Sequence, residues 1–309
     1  MPTALYTHPV YQEHEMGSWH PECPARLKAI LQVLDAEPFA NLQRREAPVG
    51  TVAEIERVHQ AYYVESIFEQ VPASGHVHLD PDTAMNHASG DAALRAVGGI
   101  CDAVDAVLNG EVRNAFCAVR PPGHHAETSA AMGFCLFNNV AIAAEHARAK
   151  HGLERVAVVD FDVHHGNGTQ NHFFRYRDLF YGSSHQWPCY PGTGMAHETG
   201  VYHNICNVQL RPGTGSEEFR AGYVDQILPA LRAFAPDMIL ISAGFDAHAR
   251  DPLAQLRLTT EDYAWVTREL MEIAEKQCGG RVVSTLEGGY DLEALAVSVG
   301  VHVKAMMGS

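Results

Sequence analysis

Basic residues are scarce in this chain. Its 309 residues include only four lysines, and 22 lysines and arginines face 37 acidic residues for a formal charge of −15. That balance argues against direct nucleic-acid binding, which depends on neutralising phosphates, and would attract cationic substrates or basic peptides. Cysteine is sparse too: seven residues (23, 101, 117, 135, 189, 206 and 278), odd in number and without a C-x-x-C pair. This excludes a disulfide framework and a zinc ribbon and fits a reducing compartment. The segment Met1–His8 has neither the basic nor the apolar stretch of a secretory signal, and no apolar run is long enough to cross a bilayer. A cytoplasmic protein without a membrane partner is expected, and Asn167-Gly168-Thr169 is a chance match to the glycosylation sequon. There is no G-x-G-x-x-G loop, Walker A sequence, H-E-x-x-H helix or G-x-S-x-G elbow.

The chain does carry short β-branched runs alternating with longer amphipathic stretches. Strands are expected at 3–7, 114–119, 155–161, 178–183, 202–208, 237–243 and 281–286. Helices are expected at 24–35, 52–58, 89–109, 138–151, 216–234, 259–277 and 292–306. Two helices open on cap-like sequences, Ser216-Glu217-Glu218 and Thr259-Thr260-Glu261-Asp262. Strands separated by helices imply an α/β fold with a mostly parallel sheet covered on both faces. No linker, repeat or low-complexity tract divides residues 1–309, so one catalytic domain is expected.

Reactive side chains collect where these strands end. His124 and His125 follow the strand ending near Val119. Asp160, Asp162 and His164 close the run from Arg155; Asp246 follows Met238–Gly244; and Tyr290 follows Val282–Leu286. Parallel sheets bind ligands outside the carboxyl ends of their strands, so four segments address one edge. Asp162, His164 and Asp246 are acceptable donors for a catalytic zinc with an open position, although Fe(II) or Co(II) would accept the same set. The adjacent histidines lie on a turn made rigid by Pro121, Pro122 and Gly123. Asp160 and Asn167 are available as their partners. An aspartate raises one imidazole's proton affinity, whereas an amide only orients the other, so acid and base roles would divide. Tyr290, after Gly288-Gly289, would stabilise a developing oxyanion. Gly133-Phe134 and Tyr190-Pro191-Gly192 supply candidate aromatic walls for a narrow channel.

Together, Arg120–Ala126 (RPPGHHA), Gly133–Asn139 (GFCLFNN), Asp160–Gly168 (DFDVHHGNG), Ser242–His248 (SAGFDAH) and Leu286–Tyr290 (LEGGY) resemble the histone deacetylase superfamily. His20-Pro21-Glu22 and Pro24-x-Arg26 fit as well. The motifs run from about residue 20 to 290 in the family's order. They are most similar to class II deacetylases and bacterial deacetylase-like amidohydrolases, with Asn167 where class I enzymes usually carry aspartate. The resemblance implies the arginase/deacetylase fold, a single eight-stranded, mainly parallel sheet between helices. It implies zinc on Asp162, His164 and Asp246, a general base at His125, an electrostatic catalyst or acid at His124, and a carbonyl polariser at Tyr290. It also implies a structural potassium held mainly by backbone oxygens of Asp160, Asp162 and His164, with Ser183 and Ser184. Phe134 and Tyr190 match the walls of an acyl-lysine tunnel, although most relatives have Phe or Trp at the position of Tyr190.

The expected reaction is removal of acetyl or another acyl group from acyl-lysine or a related acylated amine by metal-activated water. Leu253 stands where polyamine-selective relatives place a gatekeeper glutamate, and Val71–Pro81 is short for an inserted dimerisation loop. Both lean away from the first alternative, an acetylpolyamine amidohydrolase. A non-catalytic acyl-binding regulator would need a broken site, yet every catalytic position is filled. An arginase-like two-manganese ureohydrolase would need further aspartates, and Asn167 removes one. A homo-oligomer remains open on sequence alone.

Overall fold

The computed structural model describes residues 1–308. Ten strands form: β1 (Thr3–Thr7), β2 (Gln43–Glu46), β3 (Val77–His78), β4 (Ala84–Met85), β5 (Asn114–Cys117), β6 (Val156–Asp160), β7 (Leu179–Gln186), β8 (Ile205–Leu210), β9 (Met238–Ala243) and β10 (Val282–Leu286). Eight of them make one sheet in the order β2-β1-β5-β10-β9-β6-β7-β8, and every neighbouring pair is parallel. The expected eight-stranded sheet is therefore present. β3 and β4 form a separate antiparallel pair. The central strands are buried along their whole length, as VAVVD, MILISA and VVSTL. Continuous apolar runs of this kind are what a sheet covered on both faces requires.

The helices are α1 (Pro24–Leu34), α2 (Val52–Ile55), α3 (Ala61–Glu69), α4 (Ser89–Leu108), α5 (Asn139–His151), α6 (Asn167–Phe173), α7 (Ser216–Gly222), α8 (Leu228–Phe234), α9 (Thr260–Cys278) and α10 (Leu292–Met306). α4 packs on α5, whereas α1 and α9 pack on α10. β5 touches α4 and α10, and β9 touches α5 and α9, so each strand meets a helix of either group. The 216–234 segment is not one helix, because a π-helical turn at Tyr223–Ile227 separates α7 from α8. Ser216 does not cap α7: Gly215 precedes the first turn, and the Ser216 hydroxyl instead donates to Asp262 Oδ2 at 2.6 Å. The α9 start is as expected, with the Thr259 N–H donating to Asp262 Oδ2 at 2.8 Å.

A buried ionic clasp joins the loops above the sheet. Glu22 is fully buried and accepts from Arg120 Nε at 2.5 Å and Nη2 at 2.6 Å, and from Arg26 Nη1 at 3.0 Å. Arg120 also donates to the carbonyls of Tyr11 and His14. Arg26 donates to the carbonyls of Glu287 and Gly289. Burial opposes ionisation of Glu22, but the two guanidiniums hold its carboxyl well below the usual range. One carboxylate thus ties the chain before His124 to the chain before Tyr290. Replacing Glu22 by Gln leaves two buried guanidiniums without their counter-charge, which costs about 3–5 kcal/mol for a broken buried pair. Urea denaturation of Glu22→Gln is expected to show a loss of that size; a loss below about 1 kcal/mol would mean that the clasp is incidental.

Candidate active site

Adjacent strands β5, β10, β9 and β6 bring their carboxyl ends to one edge, each followed by polar residues. In the register Asp160 lies beside both Ser183 and Ser242, so the turn after β6 starts from a fixed point. Asp162, His164 and Asp246 each offer one donor atom, and the three atoms lie within 4.8 Å of one another. His164 Nδ1 is 3.1 Å from Asp162 Oδ1 and 3.1 Å from Asp246 Oδ2. Main-chain N–H groups orient the carboxylates: Gly288 donates to Asp162 Oδ2 and Val163 to Asp246 Oδ1, both at 2.8 Å.

Close packing of backbone holds this cluster together. A Cβ at Gly288 would lie 2.1 Å from Asp246 Oδ2 and 2.6 Å from Asp162 Oδ2. A Cβ at Gly244 would lie 2.0 Å from Asp162 Oδ2. No lysine or arginine pairs with either carboxylate among the described residues. Burial and Asp162 push Asp246 up to about 7. Two buried carboxylates and an imidazole without a basic partner suit a divalent cation, and zinc accepts these donors.

A second His/Asp group does not have this character. Asp105 Oδ1 lies 2.8 Å from His146 Nε2 and 2.6 Å from His151 Nε2, and Lys150 Nζ is 2.6 Å from Oδ2. Ligands about 2.1 Å from zinc lie roughly 3.4 Å apart in a tetrahedron, so this group is closed by direct hydrogen bonds around an ammonium. It joins α4 to α5.

The two adjacent histidines have unlike partners. His124 Nδ1 is 3.0 Å from Asp160 Oδ2, which also accepts from the Tyr181 hydroxyl. Burial alone would lower the His124 pKa, but Asp160, Asp162 and Glu287 outweigh it and push it up to about 10. His125 Nδ1 is 2.8 Å from Asn167 Oδ1. Burial and the charges of His124 and His164 hold its pKa well below the ordinary value. The two rings are thus shifted in opposite directions, His124 toward the cation and His125 toward the neutral form, with centroids 4.0 Å apart. Glu287, just past the end of β10, supports the pair, accepting from the N–H groups of Gly123 at 2.7 Å and His124 at 3.2 Å.

A cavity of about 230 Å³ opens above these groups. His124 and His125 are 2% and 4% exposed, whereas Tyr190 and Leu253 are 39% and 36% exposed, so the histidines form the floor and the latter pair the mouth. Gly133, Phe134, His164 and Tyr290 also line it. Phe134 takes a positive φ of 70°, costly for a branched or bulky residue, and Thr83 Oγ1 accepts its N–H at 3.0 Å. Phe134 and Tyr290 meet edge to face, with centroids 5.9 Å apart. Burial, together with Asp246 and Asp162, pushes the Tyr290 phenol up despite Arg26, whose guanidinium lies 4.9 Å from the ring centroid. Ser183 and Ser184 are buried within β7, which runs to Gln186 and so extends past the expected end of the strand.

Residues 20–306 match the histone deacetylase domain. The chain belongs to the histone deacetylase family. It is 41% identical over 275 residues to the histone deacetylase-like amidohydrolase of Pseudomonas aeruginosa, covering 87% of this chain and 71% of that protein. It is 38% identical over 313 residues to a probable deacetylase of Archaeoglobus fulgidus, covering 99% and 86%. The crystal structure of the HDA15 HD domain is similar with a TM-score of 0.95 at 35% identity, covering 100% of this chain and 88% of that one. The fold and family are those the motifs implied, and membership makes this chain a hydrolase of the deacetylase type.

Four residues of this deacetylase site escaped the sequence reading as site members. Glu22, Glu287 and Asp251 are isolated acids in the sequence, and their partners lie far along the chain. Asp251 accepts from the N–H groups of Leu253 at 2.9 Å and Tyr290 at 2.7 Å, joining mouth to floor. Asp82 lines the cavity from a loop in which no hydrophobic run marked a strand. Because Gly288 packs against both carboxylates, Gly288→Ala is expected to displace them. Metal per chain after dialysis against a weak chelator should fall well below the wild-type value with an unchanged circular dichroism spectrum. Wild-type metal retention would show that the carboxylates need no such close backbone.

Proposed function

We propose that the protein is a zinc-dependent amidohydrolase that removes acetyl or other acyl groups from acyl-lysine or a related acylated amine. The observation that carries this reading is the pair of adjacent histidines, one backed by the Asp160 carboxylate and the other by the Asn167 amide, beside three convergent donors at the floor of a narrow cavity. Asp162, His164 and Asp246 would hold the ion, which when bound would polarise the amide carbonyl and make a water more acidic. His125 is the base. Its neutral ring, with Nδ1 against Asn167 Oδ1, leaves Nε2 free to take a proton from the attacking water. His124, kept cationic by Asp160, stabilises negative charge and supplies the proton to the leaving amine. The Tyr290 hydroxyl remains protonated and donates to the carbonyl oxygen as charge develops there. Phe134 and Tyr190 form the apolar walls for the acyl chain, with Gly133 and Leu253 completing them.

A structural potassium is assigned to the backbone oxygens of Asp160, Asp162 and His164 with Ser183 and Ser184. In support, the carbonyls of Asp162 and His164 accept none of the loop and turn hydrogen bonds among the described residues. All seven cysteines are free, and no helix among the described residues is long and apolar enough to cross a membrane. A cytoplasmic location accords with the free thiols. One observation favours a second reading: Asp82 gives the cavity a carboxylate that would pair with a cationic substrate such as an acetylpolyamine.

The test is turnover of an acetyl-lysine peptide and of N-acetylputrescine, each with and without chelator. Faster chelator-sensitive turnover of the peptide is expected, and the reverse order would favour the second reading. Tyr290→Phe is expected to lower kcat by about 10²–10³ with little change in KM, the usual effect of deleting an oxyanion donor. Full activity in that variant would refute the role given to the phenol.

A further inference from the structure

We propose that Glu127 is a positioning residue for His125, acting through Asn167. The inference rests on the reading of His125 as general base. Asn167 opens α6 and faces two ways. Its Oδ1 meets His125 Nδ1 at 2.8 Å, while its Nδ2 donates to Glu127 Oε1 at 2.8 Å and to the His125 main-chain carbonyl at 3.3 Å. The same Oε1 accepts from Asn171 Nδ2 at 2.8 Å, one helical turn further on. Glu127 is itself held by a tight turn in which its N–H donates to the Ala130 carbonyl at 2.9 Å. No lysine or arginine pairs with it among the described residues, so its charge is directed at the two amides.

An asparagine amide is nearly symmetrical in shape, and half a turn exchanges its oxygen and nitrogen. The turned form would point N–H at His125 Nδ1, forcing that nitrogen to accept and moving the ring proton to Nε2. A base with its proton already on the reacting nitrogen cannot take another. Glu127 opposes this rotation, because the turned amide would set its oxygen against the Glu127 carboxylate and the His125 carbonyl, with no proton between them. The carboxylate also polarises the amide through its N–H, which makes Oδ1 a stronger acceptor for Nδ1–H. A neutral amide paired with a neighbouring carboxylate thus orients the base without placing a full charge against it.

The experiment compares wild type, Glu127→Leu, Glu127→Gln, Asn167→Asp and the double variant Glu127→Gln/Asn167→Asp, all zinc-replete, on an acetyl-lysine peptide. Glu127→Leu is expected to lower kcat about tenfold or more at unchanged KM and zinc content, the scale seen for groups that orient catalytic ligands. Asn167→Asp should lose as much, because two carboxylates at hydrogen-bond distance cannot both ionise. The double variant should regain most of that activity, since the new amide at 127 donates to the new carboxylate at 167. Merely structural roles would give additive losses. In metal-free protein, ¹⁵N shifts of the His125 ring should show the proton on Nδ1 in wild type and a tautomer mixture in Glu127→Leu. Additive losses in the double variant, or wild-type kcat and tautomer in Glu127→Leu beside an inactive His125→Ala, overturn this proposal alone. Activity retained in His125→Ala overturns the base assignment and this proposal with it.

Discussion

Four strands of a parallel sheet end at one edge, and each brings ionisable groups into a buried space. That concentration of charge is the constraint around which the molecule is built. Asp160, Asp162, Asp246 and Glu287 are all buried there, so each must be matched by a cation, a donor or a proton. The solutions differ by position. Asp160 is matched by His124 and Tyr181, and Glu287 by the N–H groups of Gly123 and His124 and the Ser242 hydroxyl. Glu22, one layer out, is matched by two arginines that themselves hold main-chain carbonyls. Asp162 and Asp246 are left with one imidazole and a few N–H groups, which makes their position the place for a cation.

The same constraint separates the two histidines. They are neighbours in sequence, share the same degree of burial and lie in contact, so nothing intrinsic distinguishes them. The difference comes from their surroundings: Asp160 stands behind His124 with Asp162 and Glu287 close by, whereas His125 has only the Asn167 amide behind it. Once Asp160 has made His124 cationic, that charge itself depresses the proton affinity of His125. The proton affinities of the two rings are therefore coupled, and on the proposed function that coupling separates an acid from a base.

Much of this was legible in the sequence because buried parallel strands are continuous apolar runs, and a charged residue that ends such a run stands out. Val156–Asp160 and Met238–Ala243 are of this kind. β2, with the residues QRRE, is an exposed edge strand without an apolar pattern, and only its pairing with β1 creates it. β7 was read short because Ser184, His185 and Gln186 are polar, yet all three are buried and bonded within the fold. The single helix expected over 216–234 hid the π-helical turn, since amphipathic spacing barely changes across it. α6 was not expected, because its residues NGTQNHF carry no apolar periodicity. Supporting groups were the hardest to see. Glu22 meets Arg120 and Glu287 meets His124 across 98 and 163 residues, and no local pattern encodes such pairs.

Floor and walls of the cavity are held by different means, and this explains why the reaction is easier to read than the substrate. Floor residues leave rigid strand ends and are locked by several buried charged contacts each. The walls come from loops. Tyr190 lies on a segment anchored at Thr193 and Gly194, where His165 Nδ1 meets Thr193 Oγ1 at 2.7 Å and His185 Nε2 donates to the Gly194 carbonyl at 2.9 Å. Burial keeps both of those rings neutral, at about 3 and about 4, so neither of these two bonds is an ion pair. Leu253 depends on one N–H bond to Asp251, and Phe134 on one to Thr83. Loops held by one or two hydrogen bonds tolerate change far better than strand ends carrying paired charge. A scaffold of this kind can alter what it accepts at Tyr190, Leu253 and Asp82 while the histidine pair and the three donors stay in place. On the proposed function, selectivity therefore belongs to the loops of this chain and its chemistry to the strand ends.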